Sequence, residues 1–121
     1  AMKIYENLTF LSHNHKEALN FYKENKNKKI NILYSFKSIL WQGPSLVKDI
    51  EKSLKRKKMN FIVEANLNVG LALSLIRQNF KYLSLSREID DEIMEKIQSI
   101  AKKKKVTVLY TENFLNLKNN I

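Results

Sequence analysis

His13 and His15 flank Asn14 in Ser12-His13-Asn14-His15, and a neutral imidazole is both a metal ligand and a base near neutral pH. The chain has no Cys to join them and no defined third ligand, so neither a metal nor a cofactor is expected. Glu64 closes the apolar run Asn60-Phe61-Ile62-Val63 and precedes an apolar helix. Desolvation there would raise its pKa and suit it to acid or base chemistry; as a structural group it would cap a helix or pair with Arg87. Asn66 and Asn68 suit the N-cap of the following helix. Trp41-Gln42-Gly43-Pro44-Ser45 contains the only Trp, the only Pro and half of the Gly. Pro44 suits a first helical position with Gly43 or a neighbour as cap, and free N–H groups there could receive a carboxylate or phosphate, helped by Lys37 and Arg87. His13, Trp41, Gln42, Gly43, Glu64, Asn66 and Arg87 are therefore the candidate pocket for a small anionic ligand.

Several chemistries are excluded by what is missing. There is no Gly-x-Gly-x-x-Gly and no Gly-x-x-x-x-Gly-Lys, hence no phosphate cradle of the dinucleotide or P-loop kind. No Gly-x-Ser-x-Gly elbow supplies a hydrolase nucleophile. Without Cys, thiol catalysis, disulfides and Cys-ligated zinc are impossible. A receiver-like phosphoacceptor needs acids at the ends of the first and third strands, where this chain offers His13 and Glu64.

The elements that would hold these residues follow from hydrophobic period. Strand-sized apolar runs occur at Leu8–Leu11, Ile30–Tyr34, Asn60–Val63, Tyr82–Leu85 and Val106–Tyr110. Between them, Lys16 to Asn25, Ser45 to Lys57 and Asp90 to Lys103 place apolar residues at helical spacing. Five strands and four helical crossovers predict a single α/β domain over residues 1–121. The expected architecture is three-layered: a five-stranded, mostly parallel, doubly wound sheet of flavodoxin-like or Rossmann-like order 2-1-3-4-5. At 121 residues such a domain builds its core without staples.

The third crossover, Leu67 to Ile76, is apolar nearly all round, so it must be covered on two sides. The segment around Trp41 or the tail with Phe114, Leu115 and Leu117 could supply the second cover. So could a symmetric copy, which makes Leu67, Leu71 and Leu75 the candidate oligomer contact.

The chain carries 22 Lys and Arg against 12 Asp and Glu, a net charge of +10, and 19 of the basic residues are Lys. Lys26, Lys28 and Lys29, then Lys52, Lys55, Arg56, Lys57 and Lys58, then Lys102 to Lys105 each precede a strand, so they gather at the edge where strands begin. Glu17, Asp49 with Glu51, and Glu88 to Glu92 are expected early in helices, the distribution that complements helix dipoles. The same edge is a candidate nucleic-acid surface, although its runs lack the Arg and aromatics that such surfaces interleave. No apolar run is long enough to span a membrane. The charged start leaves no room for a secretory leader, and Ala1 before Met2 reads as a cloning remnant, so a cytoplasmic protein is expected.

From Gln42 to Leu109 the pattern resembles a small uncharacterised single-domain α/β family of bacterial proteins. Gly43-Pro44 precedes a helix, a strand ends at Glu64-Ala65-Asn66, and Val69-Gly70-Leu71-Ala72-Leu73-Ser74-Leu75-Ile76-Arg77 leads to a strand at Phe80 to Leu85 and a last helix–strand pair. That family tends to have Asp where this chain has Glu64. The resemblance implies a fold and no activity. Phe61 to Ile76 is also similar to the centre of a STAS-type domain, with Asn68-Val69-Gly70 at the place of its phosphorylatable Ser. The functional expectation is a non-enzymatic domain acting by association, as a homo-oligomer or a partner-binding module. Binding of a small anion at the strand ends, or of nucleic acid along the Lys-rich edge, are the alternatives.

Overall fold

The computed structural model describes residues 3–54 and 58–119. Ala1, Met2 and the predicted cluster members Lys55, Arg56 and Lys57 lie outside the described residues. A 3-10 turn, Lys3–Glu6, precedes β1 (Leu8–Ser12), α1 (His15–Glu24), β2 (Ile30–Tyr34), α2 (Phe36–Gln42), α3 (Pro44–Ser53), β3 (Met59–Asn66), α4 (Val69–Arg77), β4 (Tyr82–Leu85), α5 (Asp91–Lys103) and β5 (Thr107–Tyr110). A second 3-10 turn, Thr111–Asn113, leads to β6 (Leu117–Asn119). All neighbouring strands are parallel, in the order β5-β4-β3-β2-β1-β6.

The α/β parallel sheet is as expected, but its winding is not. The order 2-1-3-4-5 is replaced by strictly sequential strands, with β6 added beside β1. Right-handed crossovers that always step the same way lay every helix on one face. Accordingly, one apolar cluster joins Ala18, Ile39, Val47, Leu75 and Ile97 of the five helices to Ile32, Phe61 and Leu83 of the strands. The opposite face has no α-helix in its cluster. Leu33, Ile62 and Leu109 pack there against Tyr5 and Phe114, which belong to the segments before β1 and after β5. The doubly wound, three-layer expectation is thus corrected to one helical layer and a cover made by chain ends. The fifth helix, α2, was not expected.

Chain length rules out a flat sheet. β5 and β6 are at opposite edges, so in a flat sheet Tyr110 and Leu117 would be about five strand spacings, or about 24 Å, apart across the strands. The registers also displace them along the strands by about five residues, or about 16 Å. Their flat separation would be about 29 Å, whereas the residues between them reach at most about 25 Å even if extended. Sheet twist, which draws diagonally placed strand ends together, and any curvature must between them make up the difference. Tyr5 holds this link near both ends: its backbone oxygen accepts from Leu115 N (3.0 Å) and its hydroxyl accepts from Tyr110 N (2.8 Å).

Local chemistry sets the helix ends. Asn14, Asn68 and Asp90 cap α1, α4 and α5 through side-chain oxygens that accept from the N–H of Glu17, Leu71 and Glu92. α4 contacts β3, β4 and α5, so its all-round apolarity is used within the chain. Leu71 and Leu75 lie inside the core with Ala72 and Ile76, and Leu67 alone of the proposed oligomer contacts is exposed. Asp49 and Glu51 fall in the later half of α3, which starts at Pro44, and not in its first turn. Glu51 instead holds Lys48 at 2.6 Å and receives Lys81 N at 3.3 Å.

Candidate functional site

Parallel pairing brings the ends of β1 to β5 to one edge, and there the expected site residues divide into two groups. Around β1 to β3, Gln42 is the hinge. Its Oε1 accepts from the buried Tyr34 hydroxyl (2.8 Å), and its Nε2 donates to the His13 backbone oxygen (3.4 Å). Burial pushes the Tyr34 phenol up, against the hydrogen bond to Gln42, with Glu17 adding to the rise. The His13 ring lies 3.0 Å from Glu17 Oε1, an i,i+4 contact at the entry to α1. His15 Nε2 instead meets Ser53 Oγ at 3.2 Å. The two imidazoles thus have separate partners, and among the described residues no group of three or more His, Asp or Glu could hold a metal.

Glu64 accepts from the backbone N–H of Phe36 at 2.9 Å. Ser35, the N-cap of α2, makes no side-chain cap bond, so the carboxylate of a neighbouring strand does that work. Burial raises the Glu64 pKa, while the Phe36 N–H and the charge of His13 pull the other way. The expected direction is present, and the group serves as a cap contributed from β3 to α2.

Arg87 does not join Glu64. Its guanidinium lies over the Tyr110 ring at 5.8 Å, and the Arg87 backbone N–H donates to Glu112 Oε1 at 3.0 Å. Ser86 Oγ donates to the other Glu112 oxygen at 2.7 Å. Partial desolvation would raise the Glu112 carboxyl, but the hydrogen bonds from Ser86 and the backbone, with the charge of Arg87, hold it below the ordinary range. Asn66 is exposed at φ 56° beside a register shift in β3; it shapes a turn, while Asn68 provides the cap. At the strand tips Gln42 is thus tied to Tyr34 and His13, Glu64 is held by Phe36 and feels the charge of His13, and Ser86 with the backbone of Arg87 gathers on Glu112.

Trp41 belongs to neither. Gly43, at φ 90°, ends α2 and starts α3, with Pro44 at the first helical position. Only glycine holds that angle without strain. The corner turns Trp41 outward, 89% exposed, where a core cover was one expected use. Leu40 and Leu46, on either side of Gly43, are each 51% exposed. Sequence reasoning singled out Trp41 but missed these two leucines. The available signal was their place in Ser38 to Val47, a stretch without one charged residue.

No helix is long and apolar enough to cross a membrane among the described residues. Comparison with protein-family models, curated proteins and solved structures found no match.

Proposed function

We propose that this chain is a non-enzymatic protein-association domain, and that its α2–α3 corner docks on the same corner of a second copy. The observation that carries this reading is Trp41, 89% exposed between the half-exposed Leu40 and Leu46, while Tyr34, Phe61, Phe80 and Phe114 are buried. Large apolar side chains grouped at the surface are a feature of contact sites, and an exposed Trp has the most to gain from burial. Charge favours a second copy as the occupant. The chain is at +10, and Ser38 to Val47 carries no charge of its own, so two like-charged molecules meeting there add no direct clash of charges from this stretch. A patch used twice across a two-fold axis is also its own complement.

Trp41 is the sole Trp, so its emission reports on the corner alone. Sedimentation equilibrium should show dimers forming as concentration rises, with emission shifting to the blue over the same range. Trp41→Ser should leave a folded monomer. A chain that stays monomeric at millimolar concentration, with emission still typical of water-exposed indole, would end this reading.

A further inference from the structure

The opposite edge of the sheet, where the strands begin, holds a cleft of about 230 Å³. Lys3, Lys29, Lys58, Asn7, Asn60 and Tyr82 line it, and no carboxylate does. Lys29 directly precedes β2 and Lys58 directly precedes β3; Ile30 and Met59 pair in register, so the two lysines enter neighbouring strands side by side. Among the described residues none forms an ion pair or hydrogen bond with the ammonium groups of Lys3, Lys29 or Lys58. By contrast, Lys48, on the helical face, has Glu51 and the Asn79 oxygen. Three unpaired cations around one concavity repel one another, and an anion placed among them would remove that cost.

The wall of the cleft is held in place from behind. Asn60 Nδ2 donates to Asn31 Oδ1 (3.1 Å), and Asn31 Nδ2 donates to Thr9 Oγ1 (3.0 Å) and to the Ile4 oxygen (2.7 Å). Thr9 and Asn31 are fully buried, and Thr9, Asn31 and Asn60 stand in one register row of β1, β2 and β3. This ladder fixes Asn60 and ties the turn carrying Lys3 to the sheet. The half-buried Asn7 brings a side-chain amide with no partner among the described residues.

We propose that this cleft binds a small phosphate monoester or free phosphate as the dianion. Ammonium groups from three chain segments neutralise it, and the Asn7 and Asn60 amides donate to its oxygens. The volume is below that of sites for drug-sized ligands, which suits a phosphoryl group with little attached. A monoester carries close to two charges at neutral pH, whereas each phosphodiester of a nucleic acid carries one, so the converging lysines favour the former. The site is distinct from the apolar corner and does not depend on dimerisation.

The test is a titration of the full chain with inorganic phosphate at constant ionic strength, followed by amide resonances, with chloride as control and a single-stranded oligonucleotide as a second probe. The expected result is saturable shifts centred on the side-chain amides of Asn7 and Asn60 with phosphate and none with chloride. Lys29→Gln with Lys58→Gln should keep the folded spectrum, since both side chains are exposed, and weaken phosphate binding at least tenfold. Shifts that match chloride or never saturate would overturn the proposal. So would an oligonucleotide footprint running along Lys102 to Lys105 with no phosphate binding, because the edge would then be a polyanion track.

Discussion

Glu64, on β3, accepts its hydrogen bond from Phe36, the first residue of α2, at 2.9 Å, so a strand end caps a helix to which it is not joined in sequence. Two opposing effects meet in this carboxylate. Ionisation strengthens the bond to the N–H and suits the helix dipole, while burial penalises the charge and prevails, raising the pKa. Linkage then has a definite sign. A carboxyl whose folded pKa lies above its unfolded value adds stability fully present below the unfolded pKa, and this is lost as pH rises through the folded one.

Glu64→Gln keeps an acceptor for Phe36 N–H and removes the buried charge. We expect it to equal or exceed the parent in stability at pH 7, and the advantage to shrink toward zero below the ordinary carboxylate value of 4.5. Glu64→Ala removes the acceptor and should cost about 1–2 kcal/mol, the range of a lost N-cap. Chemical denaturation of the three proteins at pH 4 and pH 7 separates the contributions; a Gln variant much weaker than the parent at pH 7 would contradict this account.

Tyr34 and Gln42 form a second link, between β2 and the end of α2. Tyr34→Phe leaves the ring in the core and deprives Gln42 of its donor, for an expected loss of about 1 kcal/mol. Gln42→Ala should cost more, because the Tyr34 hydroxyl then has no protein acceptor and the tie to the His13 oxygen goes as well. Equal losses in urea melts of the two variants would show that the contact to His13 contributes nothing.

Phe114 tests the cover of the helix-free face. It meets Tyr5 edge to face, with centroids 5.1 Å apart at 69°, above Leu33, Ile62 and Leu109. Phe114→Ala should cost about 3–5 kcal/mol as a buried aromatic truncation. If the tail is what covers this face, amide exchange should quicken in β6 and at Tyr110 before it does in β2 and β3. A uniform loss of protection would mean that the tail is dispensable as a cover.

Most strand and helix positions were legible because those elements have a clear hydrophobic period. Ile30–Tyr34 and Tyr82–Leu85 coincide with the expected strands, and α1, α4 and α5 lie within a residue or two of expectation. The order of strands was not legible, since every right-handed arrangement buries the same residues. The order rests on pairings between residues far apart in sequence, such as Ile30 with Met59 and Thr9 with Leu117. α2 escaped notice because Phe36–Gln42 is short and uncapped by its own Ser35; its cap comes from Glu64, far along the chain. Among the candidate site residues, Gln42 meets the His13 backbone and Glu64 meets Phe36, while the Arg87 backbone is held by Glu112. The cleft was also missed, though a trace existed: Thr9, Asn31 and Asn60 each put a polar residue second in its strand, directly after an apolar one.

Salt should act in opposite directions on the two proposed contacts. Dimerisation at the corner brings together two molecules of net charge +10 through Ser38 to Val47, a stretch without charged residues, so its electrostatic part is repulsive. At 0.15 M the screening length is about 8 Å, against about 30 Å at 0.01 M. Raising salt over that range should therefore tighten the dimer. The phosphate contact is attractive between Lys3, Lys29, Lys58 and a dianion, and the same screening should weaken it. Measuring both dissociation constants across that range with Trp41→Ser and the Lys29, Lys58 double variant as references assigns each trend to its residues. The Trp variant should abolish the first and leave the second, and the double Lys variant should weaken the second while making the first less dependent on salt. A dimer loosened by salt would place charged groups at the contact and remove the α2–α3 corner from consideration.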